Sequence, residues 1–468
     1  MGAASSSSSL FGAVLVGNVA LLFLLAATTM LALMSSRFRS FALGLLRFFG
    51  SAFLITFESA VCERVLGGFP LLSFPRSQAE IASNPSKLFE LLKTKRGSSN
   101  SSAVDASDVF LSASPLADIE SEPDKKATAG SWALTYSHSR DGDERGEKET
   151  RTINVFVKFQ CGRHLPLWLQ CARAALEPGV VREVDFYNTL ADAVPILTPK
   201  VFFAGKIPSL NRVCCVLEHY DLSGQGEARV IPDWKPCEMR NIESMTTSIA
   251  SMHAAFYGKT RGHPLTSWIP ARKGLEYASF VPGLIKDEPE WFQGLWTCLE
   301  KHFANHPLTL VHGDCRPGNM IFLASGKTVF SDFEAVNVAP LAWDFTYMSI
   351  LGLEPSVRRE HSARLLSLYR DSLLEHPDPA AAIPSLDTLA NDSRMLTIVL
   401  YYVSFVVEKY QFWKSQGNTT QDKRAWSARV GIGVQDLNDA QMRGLLGETG
   451  ASYLGLLKKR VEAALAQE

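Results

Sequence analysis

Leu310-Val311-His312-Gly313-Asp314-Cys315-Arg316-Pro317-Gly318-Asn319-Met320-Ile321-Phe322 is the stretch on which the reading of this chain turns. An apolar approach enters a polar loop, and an apolar strand leaves it. Asp314 and Asn319 match the pattern D-x-x-x-x-N. In that pattern the Asp accepts a proton from an attacking hydroxyl and the Asn amide oxygen ligates Mg²⁺. A second strand, Thr328-Val329-Phe330, follows, and then Asp332-Phe333-Glu334. The distance from Asn319 suits a β-hairpin return, which would bring Asp332 back beside Asn319 to share a metal. Magnesium demands such hard oxygen donors. The plainer reading, in which Asp314 and Asn319 only cap turns, accounts for each residue singly but not for the combination between two apolar strands.

Two further segments complete the constellation. Val155-Phe156-Val157-Lys158-Phe159 sets a lysine inside an apolar strand. A buried unpaired charge is costly, so Lys158 calls for anionic partners. Nucleotide phosphates supply one and a helix carboxylate another. Glu183, in Arg182-Glu183-Val184-Asp185-Phe186-Tyr187, is the best helix match, with Asp185 as fallback. The bland alternative for the pair is an edge-strand lysine and a surface glutamate.

HGDCRPGN followed by SDFEAVNVAPLAWDF resembles the aminoglycoside phosphotransferase and choline kinase superfamily, most nearly its ecdysteroid-kinase-like (CHK kinase-like) branch. Met252-His253-Ala254-Ala255-Phe256 resembles that superfamily's helix ahead of the catalytic loop. The resemblance covers roughly Gly130 to Trp413. It implies a protein-kinase-like two-lobed α+β fold, a small antiparallel-sheet lobe followed by a larger helical one, with ATP and Mg²⁺ as cofactors. It also implies roles: Asp314 as catalytic base, His312 orienting the loop, Asn319 and Asp332 on the metal, and Asp344 bracing the loop. Glu334 is a candidate for a second metal and Arg316 for phosphate. Lys158 and Glu183 would serve the nucleotide phosphates. Val216 to Tyr220, with Glu218, would be the hinge beside adenine. For the phosphate-covering turn only Gly130 offers itself, because no G-x-G-x-x-G precedes Lys158. Ala339, where the family usually carries Gly, and Cys315 and Arg316 are departures that bear on the acceptor more than on activity. The expected reaction moves the γ-phosphoryl group of ATP to a hydroxyl of a small-molecule alcohol. The competing classes are a membrane-anchored pseudokinase scaffold and a protein kinase, the latter disfavoured by the missing glycine-rich loop and Ala-Pro-Glu segment.

Outside this body the composition divides the chain. Hydrophobic residues at 46% and charged residues at 20% exclude a wholly disordered polymer. Lys+Arg 47 against Asp+Glu 48 gives no reason to expect nucleic acid. Eight cysteines with no C-x-x-C pair imply neither a disulfide framework nor a cysteine zinc site, and suggest a reducing compartment. Residues 1–36 carry no charge, and Leu10 to Met34 is almost continuously apolar. As a helix that run would exceed the ~30 Å hydrocarbon core. Arg37, Arg39 and Arg47 follow it, so a single span would leave the body in the cytosol. The expected organisation is a membrane anchor over 1–75, a linker and flexible loop over 76–130, the nucleotide lobe over 131–222 and a helical catalytic and acceptor lobe over 223–468. Tyr401, Tyr402, Phe405 and Trp413 recur at near-helical spacing and read as core rather than pocket.

Overall fold

The computed structural model describes Pro75 and residues 78–93, 104–116, 129–139, 148–160, 180–207, 212–222, 227–270, 272–376, 382–409 and 420–466. The expected anchor over 1–75 lies outside them but for Pro75. Among the described residues no helix is long and apolar enough to cross a membrane.

The first lobe is a five-stranded antiparallel sheet with spatial order β1-β2-β3-β5-β4. Its strands are β1 (Val109–Pro115), β2 (Ala129–Ser139), β3 (Lys148–Gln160), β4 (Val201–Ile207) and β5 (Arg212–Glu218). Alternation decides what each face carries. Lys158 stands opposite Cys215, and Phe156 opposite Leu217. That face takes α3 (Val180–Thr189) through Val184, Phe186, Tyr187 and Leu190. The adjacent residues Val155 and Val157 are also fully buried, as befits a central strand covered on both faces.

Within 76–130, the expected linker and flexible loop, the described residues are 78–93, 104–116 and 129–130. They contain α1 (Gln78–Ser83), α2 (Pro85–Lys93) and the edge strand β1, which pairs with β2. Helix α2 buries Leu88, Phe89, Leu91 and Leu92. Phe89 meets Phe110 at 5.6 Å and Tyr136 at 5.4 Å between ring centroids. Strand β1 escaped the sequence reading because its sequence, VFLSASP, is Ser-rich and largely exposed, as an edge strand can be.

The second lobe is helical, with short β-structure confined to the catalytic region. A two-residue strand β6 (Ala228–Arg229) precedes α4 (Met239–Phe256), α5 (Phe280–Leu284) and α6 (Glu290–Phe303). Then come β7 (Leu308–Val311), β8 (Met320–Leu323), β9 (Thr328–Phe330) and β10 (Asn337–Pro340). Helices α7 (Trp343–Gly352), α8 (Pro355–Leu374), α9 (Leu386–Lys409), α10 (Thr420–Gln435) and α11 (Asp439–Leu465) finish the chain. Helix α7 is buried at every position, which holds the bracing aspartate rigidly. Tyr402 is fully buried, with its hydroxyl on the Phe292 carbonyl. Tyr401 and Phe405 are partly buried against the same core, while Trp413 lies outside the described residues.

Candidate active site

Strands β8 and β9 form the hairpin that the spacing called for, with Met320 opposite Phe330. The Ser331 N–H and Oγ both donate to the Asn319 carbonyl, at 3.1 and 2.7 Å. Asp332 is therefore the next residue beyond the point where the hairpin closes on Asn319. Its backbone sits at φ 64°, ψ 61°, the one non-glycine residue with positive φ among those described. Such a conformation costs on the order of 1–3 kcal/mol and is held only where the surroundings over-determine it. Phe333 supplies that hold: it stacks on Phe186 of α3 at 3.6 Å and lies 4.7 Å from the His312 ring.

Lys158 gathers three carboxylates. Its Nζ lies 2.8 Å from Glu183, 2.7 Å from Asp332 and 2.8 Å from Glu334. Glu183 is almost fully buried. Burial alone would lower the lysine, but the three carboxylates outweigh it and hold the ammonium well above its ordinary pKa. Burial pushes Glu183 up to about 7 against the pull of Lys158. For Asp332, Lys158 overcomes burial and brings the carboxyl below its usual range. Glu334 was only a secondary candidate in the sequence and is a full member of this cluster. Asp185, the fallback, pairs instead with Lys206 at 2.6 Å.

The catalytic loop is shaped by its glycines and by two aspartates. Gly313 has φ +86°, and a Cβ there would overlap the Ala335 carbonyl oxygen. A Cβ on Gly318 would strike Asp233, whose Oδ1 accepts the Gly318 N–H. Asp344, wholly buried, accepts the backbone N–H of His312 at 2.7 Å and of Gly313 at 2.9 Å, and meets His253 Nε2 at 3.0 Å. It braces the loop, as expected of it. His253 in turn meets the Tyr369 hydroxyl through Nδ1 at 2.6 Å.

Asp314 sits at the end of this frame with about a quarter of its side chain exposed. The Tyr347 hydroxyl donates to Oδ1 at 2.6 Å, the Asn319 amide to Oδ2 at 2.8 Å, and Arg316 Nε to both oxygens at 3.2 and 3.1 Å. Burial raises the carboxyl to about 6, with Tyr347 opposing. The Asn319 amide hydrogens go to the Asp314 carbonyl and carboxylate, which leaves its oxygen as the atom for a cation. His312 Nε2 meets the Ser331 carbonyl at 2.9 Å. That bond ties the loop that begins at His312 to the segment that leads into Asp332. Arg316 bridges Asp314 to Asp233, a residue with no local signal in the sequence. Tyr347 was also missed: it lies on α7 and reaches Asp314 only through tertiary packing.

Two residues expected at the nucleotide lie in the sheet. Gly130 does not form a turn. It lies within β2 opposite Val157, and a Cβ on it would meet the Gln78 side chain of α1 at 2.8 Å. The glycine there permits a close approach on the sheet face away from Lys158. The connection from β1 to β2, where a phosphate-covering turn would fall, is outside the described residues. Glu218 ends β5, with its N–H on the Lys200 carbonyl and its carboxylate accepting the Tyr220 hydroxyl at 3.0 Å.

Residues 162–383 match the phosphotransferase enzyme family. This stretch is thus similar to enzymes that transfer a phosphoryl group. The matched span includes Glu183, the catalytic loop, Asp332 and Asp344, and begins just past Lys158. No curated protein matches the chain. Among solved structures, a protein of Ralstonia eutropha JMP134 provisionally described as an aminoglycoside phosphotransferase aligns at 14% identity and TM-score 0.43, over 81% of this chain and 99% of that one. Choline kinase LicA from Streptococcus pneumoniae aligns at 15% identity and TM-score 0.39, over 70% and 94%.

Proposed function

We propose that this chain is an ATP- and Mg²⁺-dependent phosphotransferase that moves the γ-phosphoryl group to a hydroxyl of a small-molecule alcohol. The observation that carries the reading is the charge count at Lys158. One ammonium faces three carboxylates, so ionised Asp332 and Glu334 leave negative charge in excess. A divalent cation on the outer oxygens would cancel it. The donor set fits magnesium: carboxylates of Asp332 and Glu334 and the amide oxygen of Asn319, all hard oxygens. Bound Mg²⁺ supplies charge neutralisation to the β- and γ-phosphates.

The protein's own share is positioning and electrostatics. Lys158 donates to nucleotide phosphate while Glu183 keeps it aimed from behind. Asp314 accepts the proton of the acceptor hydroxyl. Its value near 6 leaves it ionised at neutral pH yet basic enough to help. Asp344 and His312 hold the loop in register with the metal residues. The motif supports a reading nearest the ecdysteroid-kinase-like branch of the aminoglycoside phosphotransferase and choline kinase superfamily. The uncharged apolar run before Arg37 supports tethering to a membrane with the body on the cytosolic side.

The test is Asp314→Asn, assayed for transfer from labelled ATP into a metabolite extract and into a panel of amino alcohols, choline and aminoglycosides. Transfer falls by about 10²–10⁴-fold while Mg-nucleotide binding, followed by titration, persists. Unchanged turnover in that variant would remove Asp314 as the base, and a wild-type chain that phosphorylates nothing in the extract would remove the enzyme reading.

A further inference from the structure

On the turn that feeds strand β7, a few residues ahead of the loop that begins at His312, is a group of side chains to which the phosphotransfer reading gives no task. His302 is in the last turn of α6. The chain then makes one more turn, with the His306 N–H on the Phe303 carbonyl, and enters β7 at Leu308. The four-residue step puts both imidazoles on one side, with ring centroids 5.0 Å apart. Facing them is Asp392 of α9, 4% exposed. Its Oδ1 lies 3.0 Å from His302 Nε2 and 3.2 Å from His306 Nε2. Two nitrogens and one oxygen thus converge, all within 4.8 Å of one another.

We propose that His302, His306 and Asp392 form a binding site for a divalent transition-metal ion of the zinc type, which ties the end of α6 to α9. Ligands at about 2.0–2.1 Å from a tetrahedral ion stand roughly 3.3 Å from each other. The separations of each imidazole nitrogen from Asp392 already approach that edge. Two imidazoles and a carboxylate select zinc, cobalt or nickel over magnesium, which favours an all-oxygen shell. The same preference separates this site from the oxygen set at Asp332. Both imidazoles are about a fifth to a quarter exposed, at 20% and 27% for their side chains, so water can complete the coordination. Each neutral imidazole gives its Nε2 lone pair and carries its proton on Nδ1. The helix C-terminus adds its own preference for positive charge. The position gives the ion a purpose, since it would fix the turn only six residues before His312.

The experiment uses the full chain stripped with a chelator, with Co²⁺ as the optical probe. One equivalent of Co²⁺ should give the intense visible absorption of a four-coordinate ion. Zn²⁺ should displace it, excess Mg²⁺ should not, and Asp332→Asn should keep it. His306→Gln and His302→Gln should each lose it. Changes outside the ligand set alone cost about 10–100-fold in metal affinity, so loss of a ligand should exceed that. Zn²⁺ should raise the melting temperature of the wild type and leave that of either variant unmoved, with metal-free melting confirming that the variants fold. A wild type that takes up neither ion at micromolar concentration overturns the site, as do variants that bind as tightly as wild type. Because binding and melting are read without ATP or acceptor, failure here leaves the phosphotransfer reading standing.

Discussion

Lys158→Met should destabilise the protein in a pH-dependent way that exposes the charge balance of the site. The side chains of Asp332 and Glu334 are 38% and 39% exposed and keep much of their water, so their share of the loss is small. The cost falls on Glu183, whose side chain is 1% exposed. Breaking a buried pair from one side costs about 3–5 kcal/mol when the orphaned charge must stay ionised. Glu183 has a way out, because it can take a proton. With Lys158 present its folded value is about 7, against 4.5 ordinarily, and without Lys158 it must rise further. A carboxyl raised on folding favours the folded state below its unfolded value, and that advantage is lost as pH rises towards its folded one. Wild type stops losing stability near pH 7, whereas the variant continues. Each pH unit beyond is worth about 1.36 kcal/mol. The deficit of Lys158→Met should therefore be small at pH 6 and reach about 2.7 kcal/mol at pH 9. Urea unfolding followed by circular dichroism at pH 6, 7.5 and 9 reads it directly, with no acceptor required. Adding Glu183→Gln should flatten the pH dependence, since no charge is then left to bury. A deficit equal at all three pH values, or a double variant as pH-sensitive as the single one, would refute the argument.

Removing the Tyr347 hydroxyl, 2.6 Å from Asp314, deletes a hydrogen bond to a charged group worth about 1.5–3 kcal/mol. In Tyr347→Phe the acid limb of the kcat/KM profile should move up by about one to two pH units from near 6. A profile that does not move would detach Tyr347 from the base. Asp344→Asn should cost about 2–3 kcal/mol, because its amide nitrogen must face one of the two backbone N–H groups that the carboxylate accepts. Its kcat should fall more than its nucleotide affinity, and equal losses in both would argue for a merely structural residue.

Local sequence fixes a large part of this molecule. The D-x-x-x-x-N spacing, two apolar strands and a thirteen-residue return dictate that Asp332 arrives beside Asn319, because a hairpin has few ways to close. A lysine in an apolar strand announces that partners exist, since a bare charge is not tolerated there. What the sequence could not count is how many partners come. Glu334 joins Glu183 and Asp332 only because Asp332 adopts a left-handed backbone pinned by Phe333 against Phe186. Tyr347, Asp233 and the convergence of His302 and His306 on Asp392 have no local signature, as the partner residues are 33, 83, 90 and 86 positions apart. Strand β1 and the role of Gly130 were likewise beyond reach. A Ser-rich edge strand has no alternating pattern to read, and the space a glycine provides is defined by whichever helix packs over it. Spacing along a chain determines chemistry that is closed by short loops. Chemistry assembled across helices is decided by packing, in which the contacts are non-local and only the folded protein specifies them.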